Sequence, residues 1–427
     1  MNKFFLTGLL ITTTFFVYGQ KIDEIINAKE VERIESVLSS DNMRGRRAFT
    51  PDIDRAADYI ASEFKTIGLQ TWNNSSTYLQ PFAMVRSRVL SVNAIIDGFT
   101  LDPRNIAIVS AKTDLKVDQS SGYEIVMFKA GHDFRETAAY IQPTKNVIVL
   151  IDTSFAANFP RLASSRRAIF STDKSTIFIL TSAAPQQFSI EAKQETTEQK
   201  LANVLGVLPG KSRKDEYVIF SGHYDHLGVG KPVDGDSIYN GANDDAAGTT
   251  AVIMLAKYFK QLNNNERTIV FAAFTAEEVG GYGSQYFSRQ FDAQKVMAMF
   301  NIEMIGTDSK WGKNSAYITG YEKTDMGAIL QRNLEGTAFT FYPDPYPAQN
   351  LFFRSDNATL ARLGVPAHTI STAKMDGEPN YHKVTDEIST LDMDNMARII
   401  KAIALSSRSI VAGKETPTRV KVEELQR

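Results

Sequence analysis

The chain has 427 residues, 43% of them hydrophobic and 22% charged, enough to bury a large core in one α/β domain with additions or in two to three domains. Lys and Arg total 47 against 49 Asp and Glu, and the formal charge of −2 gives the chain as a whole no pull toward nucleic acid or an anionic membrane. Cysteine is absent, which excludes disulfide scaffolds, thiolate zinc sites, iron–sulfur clusters and cysteine nucleophiles, and leaves any chemistry to the five His and to Asp, Glu, Ser, Tyr, Lys and Arg.

The first residues read Met1-Asn2-Lys3, then an apolar stretch over 4–17, then Tyr18-Gly19-Gln20. A basic start, an apolar run and a small residue at a cleavage point predict a signal peptide over 1–19 and export to a periplasm or the outside. The run is short of the roughly 20 apolar residues of a membrane span. No later stretch is longer, so no integral membrane segment is expected once the leader is removed.

Two helices follow. Over 24–40, Ile25, Ile26, Val31, Ile34, Val37 and Leu38 recur at helical spacing; over 51–67, Ala56, Tyr59, Ile60, Phe64 and Ile67 share one side and Gly68 ends the run. Residues 20–85 are read as the leading part of the main domain. Residues 86–200 differ in texture: short β-rich runs such as 124–128 and 146–151 alternate with Ser/Thr/Asp stretches, which predicts a β-rich insertion whose role no motif reveals.

From 201 to 413 the pattern is regular. Apolar strands are expected at 217–221, 268–274, 296–303 and 367–370, and helices at 246–262, 325–334 and from about 392, where Met396, Ile399, Ile400 and Ile403 share a face. Strands alternating with helices predict a mixed, largely parallel central sheet with helices on both faces, and such sheets carry their chemistry at the carboxyl ends of the strands. The charged tail at 414–427 is expected to be peripheral.

Several candidate residues stand at those strand ends. His223 and Asp225 form a His-x-Asp pair after the first strand, in which His223 would bind a metal and Asp225 would orient its ring. Asn243-Asp244-Asp245 precedes a helix, Glu277-Glu278 follows the second strand, and Glu303 ends the third. His382 lies in the polar loop Asn380-Tyr381-His382-Lys383. Taken singly, these also read as a loop histidine, an N-capping turn and acids in a first helical turn. A carboxylate ending an apolar strand is harder to place without a partner. Gathered in one place, Asp244, Glu277, Glu278 and Glu303 could not all stay ionised without cations. Two divalent ions would bring four positive charges against three negative ones from Asp244, Glu278 and Glu303. Imidazole and carboxylate ligands suit zinc, with manganese or cobalt as substitutes.

Six motifs occur in an order that resembles the di-zinc exopeptidases of metallopeptidase family twenty-eight, which include leucyl aminopeptidases, glutamate carboxypeptidase II and, as a divergent branch, glutaminyl cyclases. They are Ser221-Gly222-His223-Tyr224-Asp225-His226-Leu227-Gly228, Gly241-Ala242-Asn243-Asp244-Asp245-Ala246-Ala247-Gly248, Ala276-Glu277-Glu278-Val279-Gly280, Asn301-Ile302-Glu303-Met304-Ile305-Gly306, Arg354-Ser355-Asp356 and Tyr381-His382. The likeness covers about 201–410 and, more loosely, 38–69, with Leu38-Ser39-Ser40-Asp41 and Gly45-Arg46. It implies the zinc-dependent exopeptidase fold, two Zn2+ ions and peptide substrates with free termini.

Matched residue by residue, the resemblance makes Asp244 the carboxylate bridging both metals. His223 and Glu303 complete one site, and Glu278 and His382 the other. Glu277 becomes the general base, Asp225 the partner of the His223 ring, and Tyr381 the group that steadies the oxyanion. It also implies a cis peptide between Asp244 and Asp245. Two positions depart from the family: Glu303 stands where many members have Asp, and Asn357 where many have His.

The activity expected from this is aminopeptidase hydrolysis, with a Pro- and aromatic-rich loop at 342–353 shaping a side-chain pocket. A carboxypeptidase would need a cation for the substrate carboxylate, for which Arg354 is the candidate. A glutaminyl cyclase and a metal-free binding module are the other readings. His226 is read as structural and near the site, His368 as a core histidine and His132 as a surface one.

Overall fold

The computed structural model describes residues 22–163 and 168–425; the leader expected at 1–19 lies outside them. The chain divides into two units, one built from the chain up to Gln80 and from Ala202 on, the other from Pro81–Leu201.

The first unit opens with α1 (Ala28–Leu38) and α2 (Pro51–Ile67). The single helix expected over 24–40 is interrupted, because the Asn27 side chain accepts the Glu30 N–H and starts α1 afresh. Gly68 closes α2 in the left-handed conformation, as a C-terminal glycine can at little cost.

The second unit contains β1 (Leu79–Ile96), β2 (Phe99–Thr100), β3 (Ile106–Ser110), β4 (Asp114–Asp118), β5 (Glu124–Phe128), β6 (Val147–Ile151), β7 (Ile169–Phe170), β8 (Ser175–Leu180) and β9 (Phe188–Leu208). β1 enters it from the first unit and β9 returns to that unit. Its four-stranded sheet runs β3-β8-β6-β5, with β6 parallel to both neighbours. β6 reads Val-Ile-Val-Leu-Ile and is buried throughout, as a strand covered on both faces must be. Ile148 and Leu150 pack with Ile177 and Ile179 into one core, whereas Val147, Val149 and Ile151 pack with Phe159 and Phe178 into another.

The first unit resumes with β10 (Arg213–His223), β11 (Gly228–Val233), β12 (Asp236–Tyr239), α3 (Ala247–Leu262), β13 (Arg267–Phe274), α4 (Tyr282–Ser288), β14 (Val296–Ile302), β15 (Ser315–Ile318), α5 (Met326–Asn333), β16 (Thr340–Pro343), β17 (Ala367–Ser371) and α6 (Met393–Ser406). Its sheet has the order β16-β15-β17-β14-β10-β13-β9. β13, β10, β14 and β17 are parallel; the end of β9 is antiparallel to β13, and β15 is antiparallel to β17. This is the mixed, largely parallel sheet the sequence predicts.

Alternate residues of its central strands enter two separate cores. Phe220, Phe271 and Phe300 join the core formed with α1, α2, α3 and α6, whereas Ile219, Val270 and Met299 join the one containing Phe287 of α4 and Leu360. Central strands with two apolar faces read as continuous hydrophobic runs, which is how they were recognisable.

The tail is not peripheral over 415–420. Arg267 is fully buried, and its guanidinium donates to the carbonyls of Ile410 and Glu415, to Thr416 Oγ1 and to Glu216. A buried cation needs those acceptors and draws the tail in. No helix among the described residues is long and apolar enough to cross a membrane.

Candidate metal centre

β10, β13 and β14 end side by side, so His223, Glu277-Glu278 and Glu303 emerge at one edge of the sheet. Asp244 reaches the same edge from the turn that leads into α3, and its peptide bond to Asp245 is cis. Such close convergence needs backbones to approach each other. At Gly248 a Cβ would lie 2.2 Å from the Ile302 carbonyl and 2.3 Å from the Asp245 carboxylate, so no larger residue fits.

Asp245 fixes the strand ends relative to one another. Its Oδ1 accepts the N–H groups of Gly248 (2.9 Å) and Met304 (3.0 Å), and its Oδ2 accepts that of His223 (3.1 Å). Asp386 does the same for the turn, accepting the N–H groups of Asn243 (2.8 Å) and Asp244 (3.0 Å). Arg46, fully buried, donates to the carbonyls of Leu38, Tyr224, Asn240 and Gly241 at 2.6–2.9 Å, binding the loop after β10 to the turn before Asp244. Gly45, with φ 64°, is required beside it, since a Cβ there would lie 2.3 Å from the Tyr239 carbonyl.

None of these three positioning residues was identified from the sequence. Asp245 passes for part of a capping turn, Asp386 carries no motif, and Arg46 was visible only as part of the weaker leading match. Ala276, Met304 and His382, all flanking or belonging to the candidate set, have φ of 53–60°, a backbone state unusual for residues with a Cβ and concentrated at functional sites.

Asp244 stands between two groups of side chains. Its Oδ1 is 3.1 Å from His223 Nε2, and its Oδ2 is 3.2 Å from His382 Nε2. Glu278 Oε2 lies 3.1 Å from His382 Nε2, while its Oε1 lies 2.7 Å from Nδ1 of His226. One donor atom each from His223, Asp244 and Glu303, and one each from His226, Asp244 and Glu278, fall within 4.8 Å of one another. The structure therefore brings all five expected ligands together and adds His226, which the sequence reading set aside as structural.

Asp225 is placed differently from expectation. Its carboxylate accepts the N–H groups of Glu277 (3.0 Å) and Glu278 (3.3 Å), while the Nδ1 of His223 lies 3.1 Å from its main-chain carbonyl and 3.7 Å from its Oδ1. It positions the acidic pair directly and the His223 ring chiefly through its backbone. An Nδ1–H bonded to that carbonyl leaves Nε2 as a lone-pair donor.

The electrostatics show what the cluster lacks. Burial alone would keep the His223 imidazole neutral, yet Asp244, Glu277 and Asp245 raise it well above its ordinary range. Asp244 and Glu278 push His382 up to about 10. Burial pushes Glu303 up to about 7 and Asp225 to about 7, and it raises Glu277 well above the usual carboxylate range, with Glu303, Asp356 and Glu278 adding to the effect. Positive charge among these acids relieves all of these shifts at once. His223 Nε2, His226 Nδ1, Glu278 Oε1 and Glu303 Oε2 are buried and have no hydrogen-bond partner. Unpaired donors and acceptors of this kind are rare in folded proteins, and imidazoles with carboxylates are the donor set of zinc, so these residues fit divalent metal.

A cavity opens beside Glu303, walled by Tyr317, Leu351, Met375, Ser371, Arg354 and Tyr381. The Tyr381 ring stacks on His382 at 3.9 Å, and burial raises its hydroxyl above the usual range. From the 342–353 loop, Leu351 reaches the cavity and Tyr346 packs against Tyr317 from behind. Asn357 is structural: it donates to the Phe352 and Ala367 carbonyls and accepts from Thr369. His368 is a core residue, bonded to the Thr319 carbonyl and to Thr324 Oγ1.

Residues 203–406 match the sequence profile of peptidase family M28. Over that stretch, just under half of its length, the chain is similar to that family. It is similar to a probable zinc metalloprotease of Pyrenophora teres f. teres, 34% identical over 108 residues, which are 25% of this chain and 23% of that protein. The chain thus spans about a quarter of the length of the curated zinc metalloproteases it matches first. Leucine aminopeptidase 1 of Metarhizium robertsii is 22% identical over 310 residues, 66% of this chain and 76% of the relative. The chain also shares its fold with solved structures. An aminopeptidase from Aneurinibacillus sp. strain AM-1 has TM-score 0.55 at 19% identity, with 95% of this chain and 98% of that one covered. A zinc aminopeptidase from Bacillus subtilis has TM-score 0.55 at 18% identity, covering 90% and 95%.

Proposed function

We propose that this chain is a zinc aminopeptidase that removes N-terminal residues from peptides with the help of two metal ions. The observation that carries this reading is the shared carboxylate of Asp244, whose two oxygens face different imidazoles, with His223 Nε2, Glu278 Oε1 and Glu303 Oε2 buried and unpartnered among the same residues. His223, Asp244 and Glu303 would hold one ion, and Asp244, Glu278 and His382 the other, with manganese or cobalt as substitutes for zinc. When bound, such a pair acidifies water and polarises the scissile carbonyl.

The chain's own groups do the rest. Glu277 takes the proton of the attacking water and passes it to the leaving amine, a role open to it once positive charge among the acids offsets the burial that otherwise keeps its carboxyl protonated. Tyr381, kept protonated by its raised hydroxyl, donates a hydrogen bond to the developing oxyanion. The wall formed by Tyr317, Leu351 and Met375 takes an apolar first side chain, desolvating it as the peptide seats. Residues 1–19 are proposed to export the protein, which sequencing the N-terminus of the mature form would test.

One observation favours a second reading. Arg354 is exposed on the cavity wall beside Tyr381, where it could receive a C-terminal carboxylate as a carboxypeptidase requires. Mass spectrometry of a peptide pool with free and acetylated N-termini, incubated with and without chelator and added zinc, separates the two. Stepwise loss from free N-termini only, abolished by chelation, is the expected result. Loss from the C-terminus would transfer the role to Arg354. Loss of ammonia from N-terminal Gln would mean a cyclase, and no change under any zinc condition a binding module.

A further inference from the structure

One imidazole in the site has no function in the reading above. His226 is 1% exposed and lies in the loop after β10, beyond Asp225. Its Nδ1 is 2.7 Å from Glu278 Oε1 and 3.9 Å from Asp244 Oδ2. The shorter distance is that of a hydrogen bond, but the geometry is not: neither His226 Nδ1 nor Glu278 Oε1 has a hydrogen-bond partner. Two buried polar atoms, close but not hydrogen-bonded to each other, are costly unless both face a third, positively charged body.

Donors around a tetrahedral ion at about 2.0–2.1 Å are roughly 3.3 Å apart. The separations of 2.7 and 3.9 Å for His226 bracket that value, and those of 3.1 and 3.2 Å for His382 lie just below it. The ring is also held in place. The His226 main-chain N–H donates to the Arg46 carbonyl, and Gly241 lies so close that a Cβ there would be 2.5 Å from the imidazole Cγ.

We infer that His226 is a further protein ligand at the metal position formed by Asp244, Glu278 and His382. The inference rests on the two-metal reading and makes the two positions unequal. One is closed by four protein donors, two of them imidazoles; the other, at His223, Asp244 and Glu303, has three and keeps coordination free for water and substrate. Sites closed by four protein ligands behave as structural ones, whereas catalytic sites stay open. The ion beside His226 is therefore the one held tightly, and the ion beside His223 the one that exchanges.

Titration of the chelator-stripped, full-length mature protein with Co2+, followed by visible absorption and equilibrium dialysis, tests this without reference to activity. The wild type should bind one ion at least about tenfold more tightly than the second. His226→Ala should weaken the tight class by about 100-fold, and His223→Ala should abolish the weak class alone. X-ray absorption of the zinc-loaded wild type needs no variant and should count three imidazoles over two ions. A count of two, even with weaker binding in His226→Ala, would make His226 a mere support for Glu278 and overturn the inference. So would unchanged affinities in that variant, and both results leave the two-metal centre standing. A wild-type protein that binds no metal would overturn the centre and the inference together.

Discussion

The two units stabilise themselves in opposite ways. In the unit formed by Pro81–Leu201, the β6 core is wholly apolar, and ion pairs such as Arg88–Glu195, Lys116–Glu191 and Lys145–Glu124 have both side chains more than half exposed. In the other unit, Arg46, Asp245 and Arg267 are buried to 0% exposure and bind main-chain groups from several segments. Exposed pairs are screened and contribute little. Buried ones leave uncompensated charge or unpaired carbonyls when broken. A unit that must present many acids at one point has to tie its loops with polar bonds, and it becomes sensitive to single substitutions where the other unit tolerates them.

That contrast can be broken by experiment. The largest effect is expected at Glu277. Glu277→Gln should lower kcat by about 10²–10⁴-fold while metal content, measured by elemental analysis, stays unchanged; a small loss would remove it as the base. Arg46→Met should follow, lowering the free energy of unfolding by about 3 kcal/mol or more, since four buried carbonyls lose their donor. Chemical denaturation measures it, and a change below about 1 kcal/mol would end the argument for a buried polar strut.

The third effect depends on pH. Burial lowers the His368 imidazole to about 4 from its ordinary 6.5. Between those values the unfolded chain takes up a proton that the folded one refuses. Its contribution is complete above pH 6.5 and is lost as pH falls toward 4, about 3 kcal/mol in all. An NMR titration should find His368 neutral through pH 5, and a midpoint near 6.5 would refute it. The smallest effect sharpens the comparison from the other side: Arg88→Ala should change stability by less than about 0.5 kcal/mol.

Apolar strands and the order of the acidic and histidine motifs were legible in the sequence because both depend on local pattern. The run at 146–151 reads as β and the one at 268–274 as a buried strand whatever surrounds them. What was not legible depends on partners distant in sequence. Asp245 cannot be told from a capping residue until Met304 and His223 bring their N–H groups to it. Arg267 looks like a surface cation until Ile410 and Glu415 supply carbonyls. The break at Asn27 is local and was missed because apolar spacing continues through it, although a capping side chain outweighs periodicity there. His226 reads as structural in the sequence, and what speaks for more is its distance to Glu278 and Asp244, neither of which is local.

The reach of Arg46 also bears on how small a working version of the protein can be. A fragment trimmed to 203–406, the profile match, retains His223, Asp244, Glu278, Glu303 and His382. It discards the side chain that clasps Tyr224, Asn240 and Gly241 from 178 to 195 positions upstream. Such a truncation would inherit the whole inventory of donors and forfeit their arrangement. During synthesis, likewise, the earliest-made stretch must wait for its carbonyls to emerge, so the turn before Asp244 cannot be clasped until the chain has been made past Gly241.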